Sequence, residues 1–171
     1  MKTWLYLGLV VFAVPLQTTV LGHFSFQRVE PDLVLIAVVL IGLLTGELEG
    51  ALMGLVLGFV QDLFSAGVAF PNLITKGVLG IAAGLIGRQV VQVTTLVVAV
   101  SGLVLSTVSG LAFLYLARGH SPLDALMTVP TLLLPQALLD AALAALVFWL
   151  LTSVLPLFTG VAVPVTRMNR F

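Results

Sequence analysis

The stretch GELEGALMGLVLGFVQD, residues 46–62, decides how this chain is read. Every fourth residue in it is Gly46, Gly50, Gly54, Gly58 and finally Asp62. Positions i and i+4 lie on nearly the same face of a helix, so the stretch predicts a helix carrying a glycine strip that ends in a carboxylate. The next apolar stretch, KGVLGIAAGLIGR, repeats the device: Lys76, Gly80, Gly84 and Arg88 stand at the same spacing, with Gly77 beside them. Successive i+4 positions drift by about 40°, so each strip winds gently round its helix.

Composition sets the surroundings of these helices. Hydrophobic residues make up 60% of the chain and charged residues 8%, against roughly 25% charged in soluble domains. So few charges cannot cover a water-facing surface, and the expected fold is an all-α membrane bundle. A formal net charge of zero gives no strong attraction for nucleic acid. The chain has no cysteine, which excludes disulfides, thiol nucleophiles and thiolate metal sites. His23 and His120 stand far apart and give no metal-ligand spacing. No catalytic, cofactor or metal site is expected, and neither a Gly-x-Ser-x-Gly elbow nor a phosphate-cradling glycine loop occurs.

A span needs about 20 apolar residues, with a lower limit of roughly 17. Hydropathy then gives six spans: 4–22, 32–45, 49–66, 71–87, 94–117, and a last one starting between Pro130 and Pro135 and ending near Leu157. The first is read as a retained span with a kink at Pro15, because no small-x-small cleavage site follows it. Residues 1–160 form one bundle in this reading, and 161–171 a short cytoplasmic tail. Asp32 after Pro31 suits a helix start, and residues 46–50 read as a tight turn. The second and third spans are short, so a re-entrant hairpin over residues 32–66 is the alternative layout. Ser121-Pro122-Leu123-Asp124 reads either as the start of a short surface helix or as an ordinary polar loop. Lys2, Arg88, Arg167 and Arg170 fall on one side and Arg28 and Arg118 on the other, which puts both termini in the cytoplasm.

The charges on the two glycine helices match in antiparallel register. Asp62 and Lys76 each lie about 8 Å inside one end, while Glu47, Glu49 and Arg88 gather at the other. The spacing predicts that the strips of Gly50, Gly54, Gly58, Gly77, Gly80 and Gly84 pack together, that Asp62 pairs with Lys76, and that Arg88 pairs with Glu47 or Glu49. The competing reading is that each strip faces a different neighbour, since membrane helices are rich in glycine anyway. Gly102, Ser106 and Gly110 form another small-residue row, read as internal packing.

Asp140 stands one turn beyond Gln136, in the middle of the last apolar run. Its candidate partners are Gln136, a serine of the fifth span, or another protein; with no cation it is expected to be neutral. Asp62 and Asp140 together raise an intramembrane aspartic protease. Their contexts, Phe59-Val60-Gln61-Asp62 and Leu138-Leu139-Asp140, lack the glycine or asparagine neighbours of such motifs.

Residues 31–88 resemble MreD, the rod shape-determining membrane protein family. The likeness rests on Pro31-Asp32-Leu33, on Gly46, Gly50-Ala51, Gly54 and Gly58-Phe59, on Asp62-Leu63, and on Gly77, Gly80 and Gly84. Leu134-Pro135-Gln136-Ala137-Leu138 leading into Leu146-Val147-Phe148 is similar to the last span of that family, although Asp140 replaces the amide or small residue usual there. The resemblance implies a non-enzymatic scaffold of the bacterial cell-elongation complex, in the inner membrane. It implies as partners a single-span MreC-type protein, a RodA-type glycosyltransferase with its transpeptidase, and indirectly the MreB filament. It also implies a fold similar to the substrate-binding subunits of energy-coupling-factor vitamin transporters, and such a subunit is the alternative function. A small channel, with Asp62, Lys76 and Asp140 along its path, is a third reading.

Overall fold

The computed structural model describes residues 31–64, 70–118 and 129–153. These form five helices: α1 (Leu33–Thr45), α2 (Glu47–Phe64), α3 (Pro71–Gln89), α4 (Thr95–Arg118) and α5 (Leu134–Ser153). A π-helical turn, Val129–Leu133, leads into α5. The expected first span, the 121–127 helix and the basic tail lie outside the described residues.

Among the described residues the fold is all-helical, as composition predicts. The helices Thr95–Tyr115 and Leu134–Ser153 are long and apolar enough to cross a membrane; α1 is apolar but shorter. The α2 and α3 helices reach a similar length but carry Glu47, Glu49 and Asp62, and Lys76 and Arg88, respectively.

A helix that is apolar all round belongs in the middle of a bundle. The α1 sequence, LVLIAVVLIGLLT, is of that kind. One side of it, with Leu35, Ile36, Val39, Leu40 and Leu43, packs on Leu79 and Ala83 of α3, Val98 and Leu105 of α4, and Ala144 and Phe148 of α5. Another side, Val34 and Val38, packs on Met53 and Leu57 of α2. The outward faces are apolar too: Leu52, Phe59 and Leu63 on α2, Ile74 and Val78 on α3, Val100 and Val104 on α4, and Leu138 and Trp149 on α5 are all exposed.

The chain reverses between α1 and α2 on the single residue Gly46, at φ 113° and ψ −179°. That backbone conformation is essentially confined to glycine. The turn is therefore narrower than the 46–50 stretch expected from the sequence: Gly50 already lies inside α2 and is buried. Two ends of the bundle follow from this hairpin. The Asp32 end holds the starts of α1, α3 and α5, and the Gly46 end holds the starts of α2 and α4.

The glycine strips of α2 and α3 face each other. A methyl built on Gly58 would lie 2.5 Å from the Asn72 carbonyl oxygen, and one on Gly54 would lie 2.6 Å from the Lys76 carbonyl carbon. Gly50 and Gly80 would each strike the other's carbonyl group, and Gly84 would strike the backbone at Gly46 and Glu47. Removing side chains along both strips lets the backbones touch, which is how small-residue helix pairs gain dispersion contact. Gly77 is buried and packs on α2 as expected, but a methyl there would first meet the flexible Leu55 side chain, at 2.8 Å, rather than backbone.

Two further glycines extend the contact to α1. A methyl built on Gly42 would lie 2.8 Å from the Gly80 carbonyl oxygen, and one on Gly87 would strike the backbone of Leu43. The first was legible in principle, because Gly42 continues the same i+4 series one step before Gly46.

Candidate functional site

Five helices contribute polar side chains to one buried cluster. Lys76 of α3 is completely buried, and its ammonium group lies 2.8 Å from Oδ2 and 3.0 Å from Oδ1 of Asp32. It also donates to Oε1 of Gln61 on α2. A buried ammonium requires such company, because an unpaired charge away from water is unfavourable by several kcal/mol.

Asp32 is placed by its helix. It is the N-cap of α1, and its Oδ1 accepts from the backbone N–H of Leu35 at 3.0 Å. The same residue donates its own backbone N–H to Oδ1 of Asp140 on α5 at 2.8 Å. The other oxygen of Asp140 accepts from the Ser106 hydroxyl of α4 at 2.5 Å. Ser106, Asp140, Asp32, Lys76 and Gln61 thus form one connected chain with one member from each helix.

This geometry corrects the expected Asp62–Lys76 pair. The Asp62 carboxylate instead holds the start of α3: Oδ1 accepts from the backbone N–H of Asn72 at 3.2 Å and from its side-chain amide at 2.9 Å, and Oδ2 accepts from the Leu73 N–H at 2.9 Å. The physical reason is an orphaned helix end. The N-cap residue of α3 is Phe70, which supplies no side-chain acceptor, and the following Pro71 fixes the first turn. A carboxylate from the neighbouring helix satisfies those N–H groups and sits at the positive end of the helix dipole. Phe70 itself is in the left-handed region at φ 84°, and its ring stacks on Phe59 with centroids 6.5 Å apart.

Charge reversal separates the two arrangements. Asp62→Lys is expected to destabilise by about 2–3 kcal/mol, the effect of losing charged hydrogen bonds to buried donors. Adding Lys76→Asp should worsen it, because Asp32 then loses the Lys76 ammonium and faces a second carboxylate instead. Recovery of stability in the double variant, measured by unfolding in detergent, would restore the direct pair.

At the Gly46 end, Arg88 meets Glu47 at 3.3 Å, with both side chains largely exposed. Of the two acids offered by the sequence, Glu47 reaches Arg88, since it opens α2 directly after the one-residue turn. Exposed pairs of this kind contribute roughly 0–1 kcal/mol, so Arg88→Gln should leave the unfolding midpoint almost unchanged.

Asp140 finds its partner on the fourth helix. Ser106, one of the row read as packing, is the hydroxyl that reaches it, while Gln136 sits half-buried one turn earlier on α5. Gly102 on the same face of α4 rests on Ala141 at ordinary contact, 3.4 Å for an added methyl. Asp62 and Asp140 have no donor in common, and each is committed to a separate set. Two carboxylates that share a proton between them, as protease chemistry requires, are not assembled from this pair. Among the described residues no group of three or more His, Cys, Asp and Glu is arranged to hold a metal ion.

The sequence-based reading missed Asp32 and Gln61 as members of the cluster, and offered Ser106 only as one of the fifth-span serines open to Asp140. The signal for Asp32 was present: a helix-starting acid sits at the same end as Asp62 and lies much nearer to α3 than sequence separation suggests. Ser106 carried only a weak signal, since serine is common in small-residue rows.

No family model, curated protein or solved structure matches this chain. The functional reading therefore rests on the geometry and on the residues themselves.

Proposed function

We propose that this chain is a multi-pass protein of a bacterial inner membrane, of the MreD type, acting as a non-enzymatic scaffold of the cell-elongation machinery. The observation that carries the reading is where the polar groups are spent. Lys76, Asp32, Gln61, Asp140 and Ser106 are consumed in joining the chain's own helices, while large apolar side chains point outward. A bundle braced in this way presents fixed helix surfaces to other membrane helices. Those surfaces are not the glycine strips, which are used internally, but ridges such as Leu52, Phe59 and Leu63 on α2 and Ile74, Val78 and Leu85 on α3.

In this reading the chain binds an MreC-type single-span protein and, through it, wall synthases of the RodA type and their transpeptidase, with the MreB filament further inside. Both termini lie in the cytoplasm, and the Asp32 end faces outward. The test is purification of the tagged full chain from its native membrane in mild detergent, followed by mass spectrometry. Co-recovery of the single-span protein and wall synthases is the expected result. Co-recovery of paired ATPases with a coupling membrane subunit overturns it and makes the chain the substrate-binding subunit of a vitamin transporter.

A further inference from the structure

The helices divide into two groups with different seams. In α1, α2 and α3, backbone meets backbone at Gly42, Gly50, Gly54, Gly58, Gly80, Gly84 and Gly87. Between α4 and α5, with its leading π-helical turn, the seam is wider: a methyl on Gly102 would rest on Ala141 and Ala144 at ordinary contact distance, Gly110 faces the Leu133 side chain, and Ser106 bonds Asp140. The first group can shift internally only by separating backbones. The interface between the groups is looser, formed by apolar side chains such as Leu35, Val39, Val98, Leu105, Ala144 and Phe148.

The two groups are tied differently at their two ends. At the Gly46 end they are joined through the chain itself, by the non-helical residues 90–94 between α3 and α4. That connection is anchored: Val93 is buried in the core, and the Thr94 hydroxyl accepts from the Val97 N–H at 3.3 Å, capping α4. At the Asp32 end, among the described residues, a hydrogen bond crosses between the groups from the Asp32 N–H to Asp140. Asp140 lies about 9 Å inside α5, beyond the π-helical turn that carries Pro130 and just past Pro135. Such turns interrupt the regular helix ladder and often mark places where a helix yields.

We propose that Asp140 is a latch: it holds the α4–α5 pair against α1–α3, and its release opens the bundle at the Asp32 end about a hinge at residues 90–94. Ser106 sets the latch by occupying the second oxygen of Asp140, which keeps the first aimed at Asp32. The charged groups facing Asp140 among the described residues are Asp32 of α1 and, behind it, Lys76 of α3; α2 contributes the neutral Gln61 and α4 the neutral Ser106. Opening would bring the buried Lys76 ammonium, Asp32 and Gln61 to the surface of the cleft. The device is independent of whether the chain is a scaffold or a transporter subunit.

The chain contains no cysteine, so paired spin labels can be placed without background. Labels at the exposed Leu63 and Leu138 report the Asp32 end, and labels at the exposed Leu48 and Leu150 report the Gly46 end. Distances are measured by electron double resonance on the full chain in lipid nanodiscs. Asp140→Leu is expected to add a component longer by about 5 Å or more at the first pair, the scale of one-turn shifts between packed helices. The second pair should be unchanged. Unchanged distances at both pairs, or equal broadening at both, overturn the proposal. Should Asp140→Leu give no folded protein, Asp140→Asn decides. It replaces one of the two carboxyl oxygens by an amide nitrogen that cannot accept, so the longer component should appear at smaller amplitude, and a distribution identical to the wild type overturns the latch.

Discussion

Gly54→Ala and Gly80→Ala each lower the free energy of unfolding by about 1–3 kcal/mol, and Gly54→Leu removes the folded form altogether. A methyl on Gly54 would lie 2.6 Å from the Lys76 carbonyl carbon and 3.0 Å from the Gly77 Cα, both on the opposite backbone. Backbone in a helix cannot swing aside as a side chain can. The only relief is to part α2 from α3, and separation at one point weakens dispersion contact along the whole strip. Gly80 is as constrained, because a methyl there would lie 2.5 Å from the Gly50 carbonyl carbon and 3.0 Å from the Ala51 nitrogen of α2. Gly77→Ala and Gly102→Ala are the matched controls and should stay within about 1 kcal/mol of wild type. The first meets a flexible Leu55 side chain, and the second makes ordinary contact. Unfolding titrations in detergent rank the four. Equal stability of Gly54→Ala and Gly77→Ala would show that the seam is loose enough to accept a side chain.

The contrast between these glycines also marks what was legible in the sequence. An i+4 series specifies a face, so Gly50, Gly54 and Gly58, and Gly80 and Gly84, were recognisable as two strips, while their meeting in one seam was one of two readings the sequence left open. A face does not specify depth or rotation at each position, and Gly77, one residue off the strip, packs on α2 through the Leu55 side chain rather than backbone to backbone. The charges were harder for a related reason. Spacing along two helices fixes height in the bundle, and on height alone Asp62 and Lys76 are level. Which of several groups at one height become partners is decided by unmet needs elsewhere. The α3 start had no acceptor of its own, since Phe70 and Pro71 occupy the positions where a capping side chain would stand, and that need claimed Asp62. Lys76 was then left to Asp32, a residue recognisable in the sequence as the N-cap of α1 but not as a counter-ion. The helix ends were closer to reading: Leu33–Thr45 and Pro71–Gln89 fall within two residues of the expected spans, because Asp32, Gly46 and Pro71 punctuate the chain.

Lys76→Met is expected to cost about 3–5 kcal/mol, the usual consequence of removing one partner from a buried ion pair. Methionine fills nearly the same space, so the loss is electrostatic. Asp32, whose side chain is only 14% exposed, would lose the ammonium group that lies against both its oxygens, and Gln61 would lose the Lys76 donor. The combination Lys76→Met with Asp32→Asn should recover most of the loss. Asparagine removes the uncompensated charge and still accepts from the Leu35 N–H, so α1 keeps its cap. Combining Lys76→Met with Asp62→Asn should give no such recovery, only the sum of two separate losses, because Asp62 serves the α3 backbone. Positions that share a hydrogen-bonded pair couple, and independent ones add, so the two double variants form a direct comparison. Coupling of Lys76 to Asp62 rather than to Asp32 would return the cluster to the arrangement that helical spacing alone suggests. Coupling to Asp32 instead makes this one lysine the point through which α1, α2 and α3 are held in common, with Asp140 extending the same bond network to α4 and α5.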